Sequence, residues 1–204
     1  MSHSFSIEID KVGKKFYQQW LYRDLSFSVQ HGESLAILGN NGSGKTTLLR
    51  ILAGQLSCSE GRVFYLKAEK KVPYESMYQH ISWAGPHTAL YPDLTLTEHL
   101  SLHFSFKKSL LPIPDIIEKL HLSQDAHKKL RFYSSGMLQR AKVGIALFSE
   151  SDILILDEPT ANMDEANAAY MLQLIAEHKG DRIYLLASNL EREYIGMNQL
   201  RVES

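Results

Sequence analysis

A chain of 204 residues, 44% hydrophobic and 22% charged, is long enough to bury the core of one globular domain and is not biased toward disorder. Its formal net charge of −1 excludes a global basic field that would hold DNA, RNA or an anionic bilayer, so any affinity for phosphate must be local. Cys58 is the only cysteine, which excludes an internal disulfide and argues against a thiolate zinc site; a buried or neutral thiol is expected.

The opening segment MSHSFSIEID carries acidic residues and no apolar signal core, and the longest apolar runs fall far short of the ~20 residues needed to span a bilayer. The expectation is a cytosolic chain that reaches a membrane through a partner. FSIEIDKV and LSFSV alternate apolar and polar residues as half-exposed strands do, and SLAIL (34–38) is a continuous apolar run of the kind a buried parallel strand carries. Gly39 ends it. Leu48, Leu49 and Leu52 recur at helical spacing between Lys45 and Ala53, with Gly54 as the helix stop. GRVFYL and HISWAG read as further strands. From Leu94 to about Glu150 the pattern is helical, broken at LLPIPD, where two prolines require an extended turn. DILILDEP (152–159) is a buried strand, EANAAYMLQLIAEHK a helix, and RIYLLAS the last core strand. Strands on both sides of a helical block indicate an α/β nucleotide-binding core with an inserted helical subdomain at roughly residues 90–150.

Residues Gly39, Asn40, Asn41, Gly42, Ser43, Gly44, Lys45 and Thr46 fit G-x-x-x-x-G-K-[ST], between a buried strand and a helix where a phosphate-binding loop must sit. Glycines let consecutive backbone N–H groups turn inward around a phosphate, and the following helix N-terminus adds partial positive charge. In that role Lys45 reaches the β and γ phosphates and the Thr46 hydroxyl holds Mg²⁺. The alternative is a glycine-rich turn with a chance lysine. Asp157 and Glu158 end the apolar strand ILILDEPT, at the carboxyl edge where open α/β sheets collect ligands. Asp157 suits the orientation of Mg²⁺ and Glu158 the alignment or deprotonation of an attacking water; a merely solvated strand end is the alternative.

YSSGMLQR (133–140) adds a third segment, ahead of Asp157 in the chain, and on these segments the chain resembles the ATP-binding subunit of ABC transporters along essentially its whole length. The usual form of the third motif is L-S-G-G-Q-x-Q-R, from which Tyr133, Ser135 and Met137 depart. The resemblance implies an ABC ATPase cassette: one unit over 1–204, with an α/β P-loop core, an antiparallel β subdomain and the inserted helices. It implies ATP and Mg²⁺ as ligands, bound by the loop with Thr47 included. It places Ser134, Ser135, Gly136 and Met137 at a helix N-terminus over roughly 135–149, against the ATP of the opposite subunit in a head-to-tail dimer. A serine N-cap followed by open N–H groups is an anion site, which agrees. TANMD (160–164) resembles the segment that crosses the dimer interface, ending at Asp164, and Phe16 matches the aromatic that stacks on adenine, with Tyr17 and Trp20 as rivals. An aromatic in that place is more often core.

Two positions depart from the family pattern. Pro86, followed by His87, stands where a glutamine links the magnesium site to the membrane partner, and Asn189 replaces the histidine that contacts the γ phosphate. Proline cannot ligate, and asparagine donates a hydrogen bond but takes up no proton near neutral pH. With Lys45, Thr46, Asp157 and Glu158 present, the resemblance implies an active but slow ATPase in which Glu158 and Asn189 serve catalysis. The implied partners are a transmembrane permease subunit and a second cassette, identical or not, with no nucleic acid; the implied location is cytoplasmic, peripheral on the inner face of the membrane. LYPDLTLTEHLSLHF (90–104) matches the groove where a membrane subunit docks, although its apolar spacing alone describes a core helix. A regulatory cassette that binds ATP and hardly turns it over, and a soluble relative acting on DNA or the ribosome, are the alternatives. His99 and His103, four apart on a helix, lack a third ligand and read as an exposed or core-edge pair; KKVP and HKKLR read as solvated faces.

Overall fold

The computed structural model describes residues 4–202. In chain order its elements are β1 (Phe5–Phe16), β2 (Gln19–Gln30), β3 (Ser34–Leu38), α1 (Lys45–Leu52), β4 (Glu60–Lys67), β5 (Lys70–Lys71), α2 (Met77–His80), β6 (Ile81–Ala84), α3 (Leu96–Phe106), α4 (Ile113–Lys119), α5 (Ser135–Leu147), β7 (Ile153–Asp157), α6 (Glu165–His178), β8 (Ile183–Ala187) and β9 (Asn198–Arg201). They fall into two compact units, one of residues up to 81 with 151–157 and those from 181 on, the other of 82–150 with 158–180.

The first unit contains both sheet types. β2, β1, β4 and β5 form an antiparallel sheet in that order. Phe5, Ile7 and Ile9 alternate into its buried face, and register shifts after Ile9 absorb Lys11, whose φ is +49°. β7, β8, β3 and β9 are neighbours in that order in a parallel sheet. Leu35 to Leu38, Ile153 to Leu156 and Ile183 to Ala187 are buried throughout, as a strand covered on both faces must be. On α1, Leu48, Leu49 and Leu52 are fully buried, each contributing roughly 1.5–3 kcal/mol by leaving water. Tyr65 on β4 donates its hydroxyl to the Ile51 carbonyl at 3.0 Å. Asp152, just before β7, accepts from Lys67 at 2.9 Å and pairs with His80 at 2.6 Å, which ties β4, α2 and β7 together.

Within the second unit α3 packs on α4 and α5, and α5 on α6. Thr95 and Glu98 form a reciprocal capping box at the start of α3. A Cβ on Gly144 would lie 2.5 Å from Leu120 Cδ1, so glycine is what lets α5 approach the end of α4. Tyr170 on α6 donates to the Lys119 carbonyl at 2.8 Å and stacks on His121 at 4.1 Å.

Two sequence expectations change. Pro112 is extended as anticipated, with ψ of 144°, but Pro114 lies inside α4. The first turn of a helix tolerates proline because its N–H would lack an intrahelical partner anyway. RIYLLAS is not the last strand of the core sheet: β9 follows and pairs parallel with β3, from Leu35 opposite Asn198 to Leu38 opposite Arg201. The sequence NQLR is too short and too exposed to show a strand pattern.

Candidate functional site

In the first unit, the chain leaves β3 into a loop with three glycines in the left-handed region, Gly39 at φ +153°, Gly42 at +86° and Gly44 at +97°. A Cβ on Gly39 would lie 2.4 Å from the Val202 carbonyl and 2.5 Å from Ser43 Oγ, so no larger residue fits. The Ser43 amide donates to the Asn40 carbonyl at 3.1 Å, which turns the loop inward. α1 then starts at Gly44 with no side-chain cap and no acidic residue in its first turn. Its leading amides therefore carry partial positive charge that no side chain offsets. The buried Lys45 donates its ammonium to the Gly39 and Asn40 carbonyls at 2.8 and 3.1 Å. Ser43 Oγ is buried without a hydrogen-bond partner.

Thr46 Oγ1 donates to Asp157 Oδ2 at 2.6 Å, across 111 residues of sequence. Asp157 is only 2% exposed. A carboxylate and a hydroxyl are the hard oxygen donors that Mg²⁺ prefers, and the unpartnered Ser43 hydroxyl, the Lys45 ammonium and the open amides suit phosphate oxygens, so this donor set fits a magnesium nucleotide. Asn189 Nδ2 donates to Asn41 Oδ1 at 2.7 Å, which brings the segment after β8 to the loop. Phe16 is 46% exposed rather than core, and the Lys14 ammonium lies 5.0 Å from its ring centroid. Cys58 is half-buried, with its thiol donating to the Gly61 carbonyl at 3.4 Å.

In the second unit Ser134 is the N-cap of α5, its Oγ accepting from the Met137 amide at 3.2 Å. The helix ends at Leu147, two residues short of the expected 149. Ser135 is exposed and Met137 half-buried. A Cβ on Gly136 would come within 2.9 Å of the Asn162 carbonyl, so the signature-like segment and the segment after β7 meet at that glycine. They meet again at Gln139, whose buried amide donates to the carbonyls of Glu158 at 3.0 Å and Pro159 at 3.3 Å. Glu158 holds φ of +52°, a conformation a non-glycine residue keeps only when its surroundings over-determine it. Gln139 was missed as a site residue, although it stands in the place of the last glutamine of the L-S-G-G-Q-x-Q-R pattern.

Asp164 is the N-cap of α6 and accepts from the Asn167 amide at 2.8 Å; hydrogen bonds from the Asn167 backbone and side chain hold its carboxyl below the usual carboxylate range. Pro86 and His87 are exposed on a turn closed by a bond from the Thr88 amide to the Gly85 carbonyl at 3.0 Å. His99 meets the Tyr91 ring in a tilted contact, 5.6 Å between centroids, and His103 shares a 2.9 Å hydrogen bond with Ser149; burial pushes both imidazole pKa values down.

A family model described as ABC transporter matches residues 22–161. The chain is 31% identical over 198 residues to ATP-binding cassette sub-family A member 17 of Mus musculus, an alignment covering 92% of this chain and 11% of that protein. It is 31% identical over 192 residues to the uncharacterized ABC transporter ATP-binding protein YdbJ of Bacillus subtilis (strain 168), covering 92% of this chain and 62% of that one. The chain thus spans less than two thirds of either relative's length. Among solved structures, a putative ABC transporter ATP-binding protein from Pyrococcus furiosus superposes with a TM-score of 0.81 at 22% identity, 97% of each chain being covered. A dimeric ATP-binding cassette in a post-hydrolysis state, bound to ADP and Pi, gives a TM-score of 0.79 at 20% identity, covering 97% of this chain and 94% of that one. At such identities the likeness is one of fold.

Proposed function

The chain belongs to the ABC transporter family as one of its ATP-binding cassettes, and from that premise we propose that it is the ATP-hydrolysing subunit of a transporter, driving a separate membrane subunit through ATP-dependent pairing of two cassettes. The observation that carries the reading is the 2.6 Å bond between Thr46 and Asp157, which brings the phosphate-type loop and the acidic strand end together with Lys45 beside them.

When ATP enters, the Lys45 ammonium exchanges the Gly39 and Asn40 carbonyls for β and γ phosphate oxygens, and the α1 amides and Ser43 hydroxyl take up the remaining acceptors. Thr46 and Asp157 would hold magnesium, whose charge would offset that of the phosphates. Glu158 aligns a water against the γ phosphorus. As the water oxygen bonds to phosphorus and the bond to the ADP oxygen breaks, the Glu158 carboxylate takes the water's proton. Asn189, anchored to Asn41, supplies an amide N–H to the γ phosphate in place of an imidazole, which makes basal hydrolysis slow. Ser134 and Gly136 of one copy close over the γ phosphate bound to the other. No helix among the described residues is long and apolar enough to cross a membrane.

Phosphate release from the purified protein in Mg-ATP tests this. The expected result is slow, saturable release that falls by about two orders of magnitude or more in Glu158→Gln while ATP still binds. Binding with no release from the wild type would favour a regulatory cassette, the reading that Asn189 supports, and contradict the hydrolytic one.

A further inference from the structure

The turn between β1 and β2 presents three aromatic rings, and they differ in what already covers them. Tyr17 is fully exposed at φ +53°. Trp20 is engaged by the protein itself: the Arg23 guanidinium lies 4.3 Å from its centroid, the Lys15 ammonium lies at 5.2 Å, and a Cβ on Gly13 would sit 3.1 Å from its ring edge. Phe16 is half-exposed and carries the Lys14 ammonium at 5.0 Å.

Lys14 is the unusual member. It is only 8% exposed, and its Nζ donates to the Ser57 carbonyl at 2.9 Å. Burying an ammonium is costly unless its donors are matched, and a methionine would fill similar space without that cost. The Ser57 segment is itself stitched to β1, the Ser59 amide donating to the Gly13 carbonyl at 2.7 Å and the Lys15 amide to Ser59 Oγ at 3.1 Å. Lys14 also stands opposite Tyr22 in the β1–β2 register, and Tyr22 with Leu21 packs beneath Gly44 of the phosphate-type loop, where a Cβ would meet Leu21 at 3.0 Å and Tyr22 at 3.1 Å. The ring and the loop are therefore linked through strand pairing and side-chain packing within the first unit.

We propose that Lys14 is a positioning residue for purine recognition: held by Ser57, its ammonium fixes one face of the Phe16 ring and leaves the opposite face as the stacking platform for the adenine of ATP. The proposal rests on ATP being the ligand of the phosphate loop. A cation on one face draws π density from the ring and so strengthens stacking of an electron-rich base on the other. Fixing the ring also removes the rotamer freedom that base binding would otherwise have to freeze.

Calorimetric titration with Mg-ATP and with magnesium tripolyphosphate, which has the phosphates and no base, separates the platform from the phosphate site. Lys14→Met should weaken ATP binding about threefold to fivefold. Phe16→Ala should weaken it roughly tenfold. Neither should change tripolyphosphate affinity; Lys14→Arg should restore ATP binding, and Lys14→Met should add nothing in the Phe16→Ala background. Unchanged ATP affinity in Lys14→Met, or a parallel fall in tripolyphosphate affinity, would overturn the positioning role while leaving the ATP reading intact. A wild-type protein that binds neither ligand would remove both.

Discussion

Two helix N-termini on this chain share the same dipole polarity and differ in what satisfies them. α1 begins at Gly44 with no side-chain acceptor and a buried lysine beside it, whereas α5 begins at Ser134 with the serine hydroxyl already bonded to the Met137 amide. Glycine geometry keeps the first end open for an anion whether or not one is bound. The second end is complete by itself, and a phosphate reaching it must displace a cap worth about 1 kcal/mol, which a charged acceptor readily offsets. In the proposed cycle α1 is the permanent phosphate site of its own copy and α5 the exchangeable one, presented to the other copy.

That contrast can be broken first at α1. Lys45→Ala removes the charge beside the open amides and should lower ATP affinity about tenfold to a hundredfold, corresponding to a charge-assisted contact of about 1.5–3 kcal/mol. Wild-type affinity by calorimetry would mean that the loop does not bind phosphate. It is sharpened at Asn189, which is hydrogen-bonded to Asn41 of the loop. Asn189→Ala should reduce turnover on the order of tenfold with a smaller change in affinity, because a positioning group acts on the attacking geometry more than on ground-state binding. Rate and affinity measured side by side decide it, and equality with wild type in both would move the γ-phosphate contact elsewhere. The smallest effect falls at α5. Ser134→Ala should cost about 1 kcal/mol, lowering the melting temperature by about 2–4 °C without nucleotide. A thermal scan showing no shift would mean that the cap contributes nothing at rest.

The sequence made the α1 side more legible than the α5 side, for physical reasons. β3 and β7 are buried on both faces, so they appear as unbroken apolar runs, and a glycine or an acid ends each one sharply. The loop conformation follows from its glycines, and a lysine beside it has a readable charge. The bond between Thr46 and Asp157 follows once both strand ends are recognised, because parallel strands align their carboxyl ends. Gln139 illustrates the opposite case. Its role depends on a helix face meeting the carbonyls of Glu158 and Pro159, a tertiary contact with no local pattern. β9 hid for another reason, since three of its four residues are exposed and its pairing with β3 comes from the backbone. Phe16 reads from the sequence as the adenine-stacking aromatic with a core ring as the alternative; it is half-exposed, and the cation beside it lies two residues back on the same strand, where charge and aromatic character read separately. Pro114 shows a local rule applied too broadly, because a proline breaks a helix interior and not its first turn.

The account stands most directly on whether α5 of one copy completes the site of another. Glu158→Gln retains the loop, the Thr46–Asp157 pair and the Ser134 cap but lacks the carboxylate proposed to take the water's proton, so ATP should accumulate between two copies. Sizing chromatography with light scattering in Mg-ATP should show this variant at twice the monomer mass, with the wild type monomeric once its ATP is spent. A Glu158→Gln protein that binds ATP and remains monomeric at high concentration would contradict the paired arrangement.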